Sequence, residues 1–162
     1  MAFNGTLLTV GNYAIDGTYY INYKSYNVTR QIQDLDSFRN ANGELVRNAL
    51  DHVPIKIEFE TRENLTNVDI AEFWGSIRSN FTVAKERKAD VTAYVPELDD
   101  YVRQFMYVPD PQFKIKRITP DTNIIYYEPI RIAFIGYWCY NHYRGEDMLN
   151  VSDATKLAYK DY

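Results

Sequence analysis

Several stretches of the chain alternate apolar and polar residues with a period of two, and one recurs with the period of a helix. Tyr26, Val28, Arg30 and Ile32 alternate with Asn27, Thr29, Gln31 and Gln33, so Tyr26–Gln33 reads as a strand with one buried face. His52–Thr61 alternates more cleanly, with Val53, Ile55, Ile57 and Phe59 on one face and Lys56, Glu58 and Glu60 on the other. Ile70, Phe73, Trp74, Ile77 and Phe81 then recur at helical spacing, behind Thr66 as N-cap with Asp69 three residues on. Ala89–Val95 and Tyr101–Val108 flank Pro96–Asp100 and predict a hairpin. Gln112–Thr119 alternates again, with Phe113 and Ile115 expected to point inward. Thr119–Asn123 is a turn, and Pro129–Tyr140 the last strong strand, with Ile130, Ile132 and Phe134 inside and Arg131 outside. Near the start, Leu7–Val10 and Thr18–Tyr23 are shorter strand candidates.

Strands, one helix, then strands predict an α+β, mainly β fold: an antiparallel β-sandwich or half-barrel with one packed α-helix. One segment interrupts the order. Asp34–Asp51 is a polar stretch of 18 residues between two strands, longer than the roughly 12–15 residues beyond which unstructured connections are uncommon. It contains Asn42-Gly43, a strong turn signal. Beyond Tyr140 the composition becomes polar, so residues 1–140 are expected to form one domain carrying the loop 34–51. Residues 141–162 read as a C-terminal extension or arm.

Composition changes this picture little. At 162 residues the chain can bury a real core, and 46% apolar with 25% charged residues is ordinary for a globular protein. Tyr stands out with 15 copies, suited to half-exposed sheet faces and interfaces. A net charge of −4 argues against duplex DNA as a specific partner. The basic runs Lys85–Lys88 and Lys114–Arg117 read as solvated faces. The lone cysteine, Cys139, can form no internal disulfide and is expected to be an inert buried thiol. Met1–Val10 lacks the basic start and apolar run of a secretion signal, and no run approaches the roughly 18 apolar residues of a membrane span. The five Asn-x-Ser/Thr triplets, beginning at Asn4, Asn27, Asn64, Asn80 and Asn150, accordingly read as a consequence of composition.

The search for chemistry yields no phosphate loop, no zinc-binding helix motif and no nucleophile elbow. His52 lies beside Asp51 but no motif supplies a nucleophile, and His142 is distant in sequence. Asp34, Asp36, Asn40 and Asn42 offer oxygens for a cation, yet Phe38 occupies a position where a Ca²⁺ loop needs one. No catalytic residue, cofactor or metal site is expected. What remains is the long segment, whose adaptable hydrogen-bonding residues are interspersed with Phe38, Leu45, Val46 and Leu50, a mixture suited to docking on another surface.

The run from Ser25 to Leu50, the strand Pro54–Glu60 and the helix start at Leu65-Thr66 carry a resemblance. Tyr26 and Val28, then Arg39-Asn40-Ala41-Asn42-Gly43 and Leu45-Val46-Arg47, resemble a family of small tail-region proteins from phages and prophages of Gram-positive bacteria; Pro129–Tyr137 resembles its closing strand. The resemblance covers about Tyr23–Tyr137 and leaves the N-terminal twenty residues and the tail outside. It implies a virion component made in the host bacterial cytoplasm, with the tail-tube or distal-tail shape: a helix on a β-sandwich, assembled into rings by a long loop. On that expectation Phe38, Arg39, Asn40, Asn42, Gly43, Leu45, Val46 and Arg47 form a subunit-interface loop. The partners are further copies of the chain in a ring, other tail proteins, and DNA only as non-specific passing cargo; no membrane is involved. Three other readings stay open: a carbohydrate- or receptor-binding β-sandwich using surface Tyr and Trp138 as stacking platforms, a head–tail connector, completion or capsid decoration protein, and, with the least support, a cell-wall hydrolase.

Overall fold

A computed structural model describes residues 3–30, 34–49 and 54–137. Strands β1 (Leu8–Val10) and β2 (Tyr13–Ala14) are followed by a single helical turn α1 (Gly17–Tyr20) and a 3-10 turn at Tyr23–Ser25. Then come β3 (Asn27–Arg30), β4 (Asp34–Arg39), β5 (Leu45–Ala49), β6 (Ile55–Glu60), β7 (Leu65–Thr66) and the long helix α2 (Asn67–Ser79). β8 (Phe81–Val83), β9 (Lys88–Val95), β10 (Asp100–Tyr107), β11 (Ile115–Thr119), β12 (Ile124–Tyr127) and β13 (Arg131–Gly136) complete the order. The protein is therefore α+β and mainly β, as the sequence pattern predicts.

The main sheet is antiparallel throughout and runs β2-β1-β9-β10-β13-β6-β3, with β8 paired to β9. Its alternation follows the pleat. Ile55, Ile57 and Phe59 of β6, Ala89, Val91, Ala93 and Val95 of β9, and Ile132 and Phe134 of β13 all face inward. Ile70, Phe73 and Ile77 of α2 join the same core, with Tyr20 stacked on Phe73 at 4.8 Å. The helix starts where the sequence places it. Thr66 accepts a hydrogen bond from the Asp69 N–H, and the Asp69 side chain accepts from the Thr66 N–H, a capping box that leaves neither backbone donor orphaned. A smaller sheet, β11-β12-β7, adjoins the helix, which packs on β7 and β12.

Three expectations about these elements need correction. Thr18–Tyr23 is not a strand: the Asp16 carboxylate accepts hydrogen bonds from the Thr18 N–H and hydroxyl, and this local cap turns the chain into α1 despite the strand preference of Tyr and Ile. Phe81 lies past the end of the helix, in β8. Phe113 and Ile115 do not point into the core but are 38% and 54% exposed, because Phe113 precedes β11 and β11 is the outermost strand of the small sheet. Ile124–Tyr127, for which the sequence pattern predicts no element, forms the central strand of that sheet. Val53, Trp138, Cys139, both histidines and the extension 141–162 lie outside the described residues.

Candidate functional site

The segment 34–51 is not an irregular loop. Its described part is a β-hairpin, β4 paired antiparallel with β5. It is inserted in the chain between β3 and β6, which pair at the edge of the main sheet, and forms an arm of its own. From Asp34 to the tip it spans roughly 20 Å at about 3.4 Å per residue. Among the described residues neither strand of the arm pairs with any other strand.

The tip is built by one asparagine. Asn40 Oδ1 accepts from the N–H groups of Asn42 and Glu44, both at 3.0 Å, while the Asn40 carbonyl accepts from the Gly43 N–H at 2.9 Å. Gly43 adopts φ +82°, a left-handed conformation that glycine takes without strain and that closes a three-residue hairpin loop. Arg39 donates to the Gly43 carbonyl at 2.8 Å and braces the turn from the side. The Asn40 oxygen is thus committed to the turn, and among the described residues no group of three acidic, His or Cys side chains converges on a metal position.

Every residue assigned to an interface by the sequence lies on this arm. Phe38 faces Val46 across the hairpin and shares its face with Asp36 and Asn48. Arg39 faces Leu45 and shares the opposite face with Ser37 and Arg47. Phe38 and Leu45 are 51% and 52% exposed, so each face of the arm offers solvent one large apolar side chain between polar ones. At the start of β6, the Ile55 N–H donates to Oε1 of Gln104, a fully buried side chain, at 3.2 Å. Arg30, at the end of β3, pairs with Glu97 at 3.3 Å. Gln104 fixes the residue at which the chain returns from the arm to the sheet, and nothing in the sequence pattern singles it out.

Two open clefts lie elsewhere. One, lined by Trp74, Phe81, Pro111 and Phe113 with Arg78 and Arg87 at its rim, sits between the helix and the segment leading to β11. The other collects Tyr13, Tyr19 and Tyr20 around Asp16, Asp69 and Glu72. Asp16 and Asp69 are engaged in capping. Burial alone would raise the Asp69 carboxyl, but hydrogen bonds from the Tyr19 hydroxyl at 2.7 Å and from Thr66 outweigh it and hold Asp69 below the usual carboxylate range. Burial, with smaller contributions from Tyr13 and the nearby carboxylates, pushes the Tyr20 phenol up to about 12.

The fold is α+β and mainly β, with one hairpin that among the described residues pairs with no other strand. The chain belongs to the family of unknown function DUF6711, whose model matches residues 1–137. That span includes the N-terminal residues that the sequence reading set apart; β1, with Leu8 and Val10 fully buried, is integral to the main sheet. No curated protein and no solved structure matches the chain.

Proposed function

We propose that the protein is a structural component of a bacteriophage virion, in the tail tube or baseplate, and that its copies assemble into rings through the arm β4–β5. The observation that carries the reading is the exposure of Phe38 and Leu45 on a hairpin whose turn is fully hydrogen-bonded. An isolated two-stranded hairpin is at best marginally stable in water. A neighbouring subunit would bury both side chains and complete the strand edges, at little ordering cost because the turn is already formed. The net charge of −4 suits a ring through which DNA passes without sticking.

The test is the mass of the protein in solution, native and with residues 34–50 replaced by a short Gly/Ser turn. Rings or tubes from the native chain and a folded monomer from the shortened one are expected. Two monomers of equal stability would overturn the reading. A second reading, glycan binding, rests on the aromatic walls of the cleft at Trp74, Phe81 and Phe113 with their polar rim. It predicts a thermal shift by host-wall sugars in a protein that stays monomeric.

A further inference from the structure

The chain holds two Asn-Gly pairs, Asn4-Gly5 and Asn42-Gly43, and all four residues are exposed. Such pairs lose ammonia spontaneously, because glycine has no side chain to hinder attack by its own nitrogen. In sequence the two look alike. We infer that the fold sorts them: it activates Asn4-Gly5 as a site of spontaneous deamidation and protects Asn42-Gly43 at the tip of the arm. The reaction sets the requirements. The glycine nitrogen loses its proton and bonds to Cγ of the asparagine, the Cγ–Nδ2 bond breaks, and ammonia leaves with that proton. Water then opens the five-membered imide at either carbonyl. The product is aspartate or, with the backbone rerouted through Cγ, isoaspartate. On the way to the imide, negative charge collects on Oδ1. A glycine N–H without an acceptor and donors aimed at Oδ1 therefore favour the reaction.

At Asn4 both conditions hold. Among the described residues the Gly5 N–H meets no acceptor, and a Cβ on Gly5 would have nothing within 4 Å. Asn4 Oδ1 accepts from the Thr6 N–H at 3.0 Å and from the Tyr101 hydroxyl of β10, ninety-seven residues away. The Thr6 amide can only donate, which fixes the oxygen of the Asn4 side chain, not its nitrogen, on that side. The Asn4 N–H donates in turn to the Tyr101 oxygen at 3.0 Å. Tyr101 has one proton to give, and the Thr6 carbonyl at 2.8 Å competes for it. As charge grows on Oδ1, the proton is drawn there. A core strand thus supplies one of the two donors to the developing oxyanion.

The tip of the arm is arranged the other way. The Gly43 N–H donates to the Asn40 carbonyl at 2.9 Å, so the attacking nitrogen must first give up that bond. Asn40 Oδ1 holds the N–H groups on either side of it, those of Asn42 and Glu44, and Arg39 holds the Gly43 carbonyl. Among the described residues no donor reaches Asn42 Oδ1. The nitrogen is engaged and the oxygen is not, the reverse of Asn4. Deamidation at position 42 therefore waits for the turn to open.

The experiment is peptide mapping by mass spectrometry after incubation of the whole protein at mildly alkaline pH, folded and in urea. In the folded protein, aspartate and isoaspartate together should accumulate at position 4 about tenfold faster than at position 42, whose turn must break its hydrogen bonds to react. In urea the two rates should converge. Tyr101→Phe should slow position 4 about tenfold, less than the roughly 10²–10³-fold effect of a donor in a water-excluded site, and leave position 42 unchanged. Asn40→Ala should speed position 42 and leave position 4 unchanged. Far-UV circular dichroism confirms the fold of each variant, and the comparison with urea decides even where a variant does not fold. Position 42 reacting as fast as position 4 in the folded protein would overturn the inference. So would the same ratio of rates in urea, because the order would then come from sequence and not from the fold. An unchanged or faster position 4 in a folded Tyr101→Phe would overturn the activation by Tyr101.

Discussion

At the scale of single residues, the tightest constraint lies where the arm rejoins the sheet. A Cβ added to Gly136 of β13 would run into Gln104 Oε1 and stand 3.1 Å from the Ile55 backbone N. These are the two groups whose hydrogen bond fixes the start of β6. Gly136→Ala must therefore either displace a fully buried amide or push β6 away from β13. Overpacking of this kind costs about 1–3 kcal/mol, and a displaced Gln104 also leaves the Ile55 N–H without its acceptor. Chemical denaturation of Gly136→Ala should show a loss in that range; an unchanged midpoint would mean that the contact relaxes freely.

At the scale of elements, the capping box at the head of α2 couples the helix to pH. Asp69 titrates below the usual carboxylate range because Tyr19 and Thr66 hydrogen-bond its charged form against the opposing effect of burial. Its folded value lies below its unfolded one. The stabilisation is therefore complete above about pH 4 and is lost as the pH falls through the folded value. Asp69→Asn removes this contribution at neutral pH, at a cost of roughly 1 kcal/mol, the order of a lost N-cap. The check is thermal unfolding of both proteins between pH 2 and 7, a window set by the carboxylate range. The gap should be present at neutral pH and narrow on acidification. A gap independent of pH would assign the loss to helix packing rather than to the charge.

At the scale of the whole molecule, Phe38 and Leu45 of the arm stand outside the core. Phe38 and Leu45 touch no part of the core cluster. Phe38→Ser with Leu45→Ser should therefore leave the stability of the isolated subunit within about 0.5 kcal/mol, as exposed substitutions do, while abolishing assembly. The measurements are the thermal midpoint at low concentration and the mass at high concentration. A large fall in the midpoint would place the two side chains in the subunit's own fold instead.

The sequence by itself determined whatever depends on neighbours along the chain. The period-two runs of β6, β9, β10 and β13 and the helical stripe of α2 bury the residues that their alternation marks, since a strand or helix has only one face to give a core. Thr66 and Asp69 announced the helix start, and Asn42-Gly43 announced the tip of the arm, because caps and turns are local hydrogen bonds. Tertiary structure decided the rest. It made an ordered hairpin of 34–49, whose polar faces look like loop because no core lies against either side. It brought Gln104 against the start of β6 from forty-nine residues away. It also left Ile115 and Ile118 in solvent, although their alternation matches that of a buried strand. Periodicity reports that a face is apolar, but whether that face meets a core or only the water at a sheet's edge is settled by how many strands and helices stand beyond it.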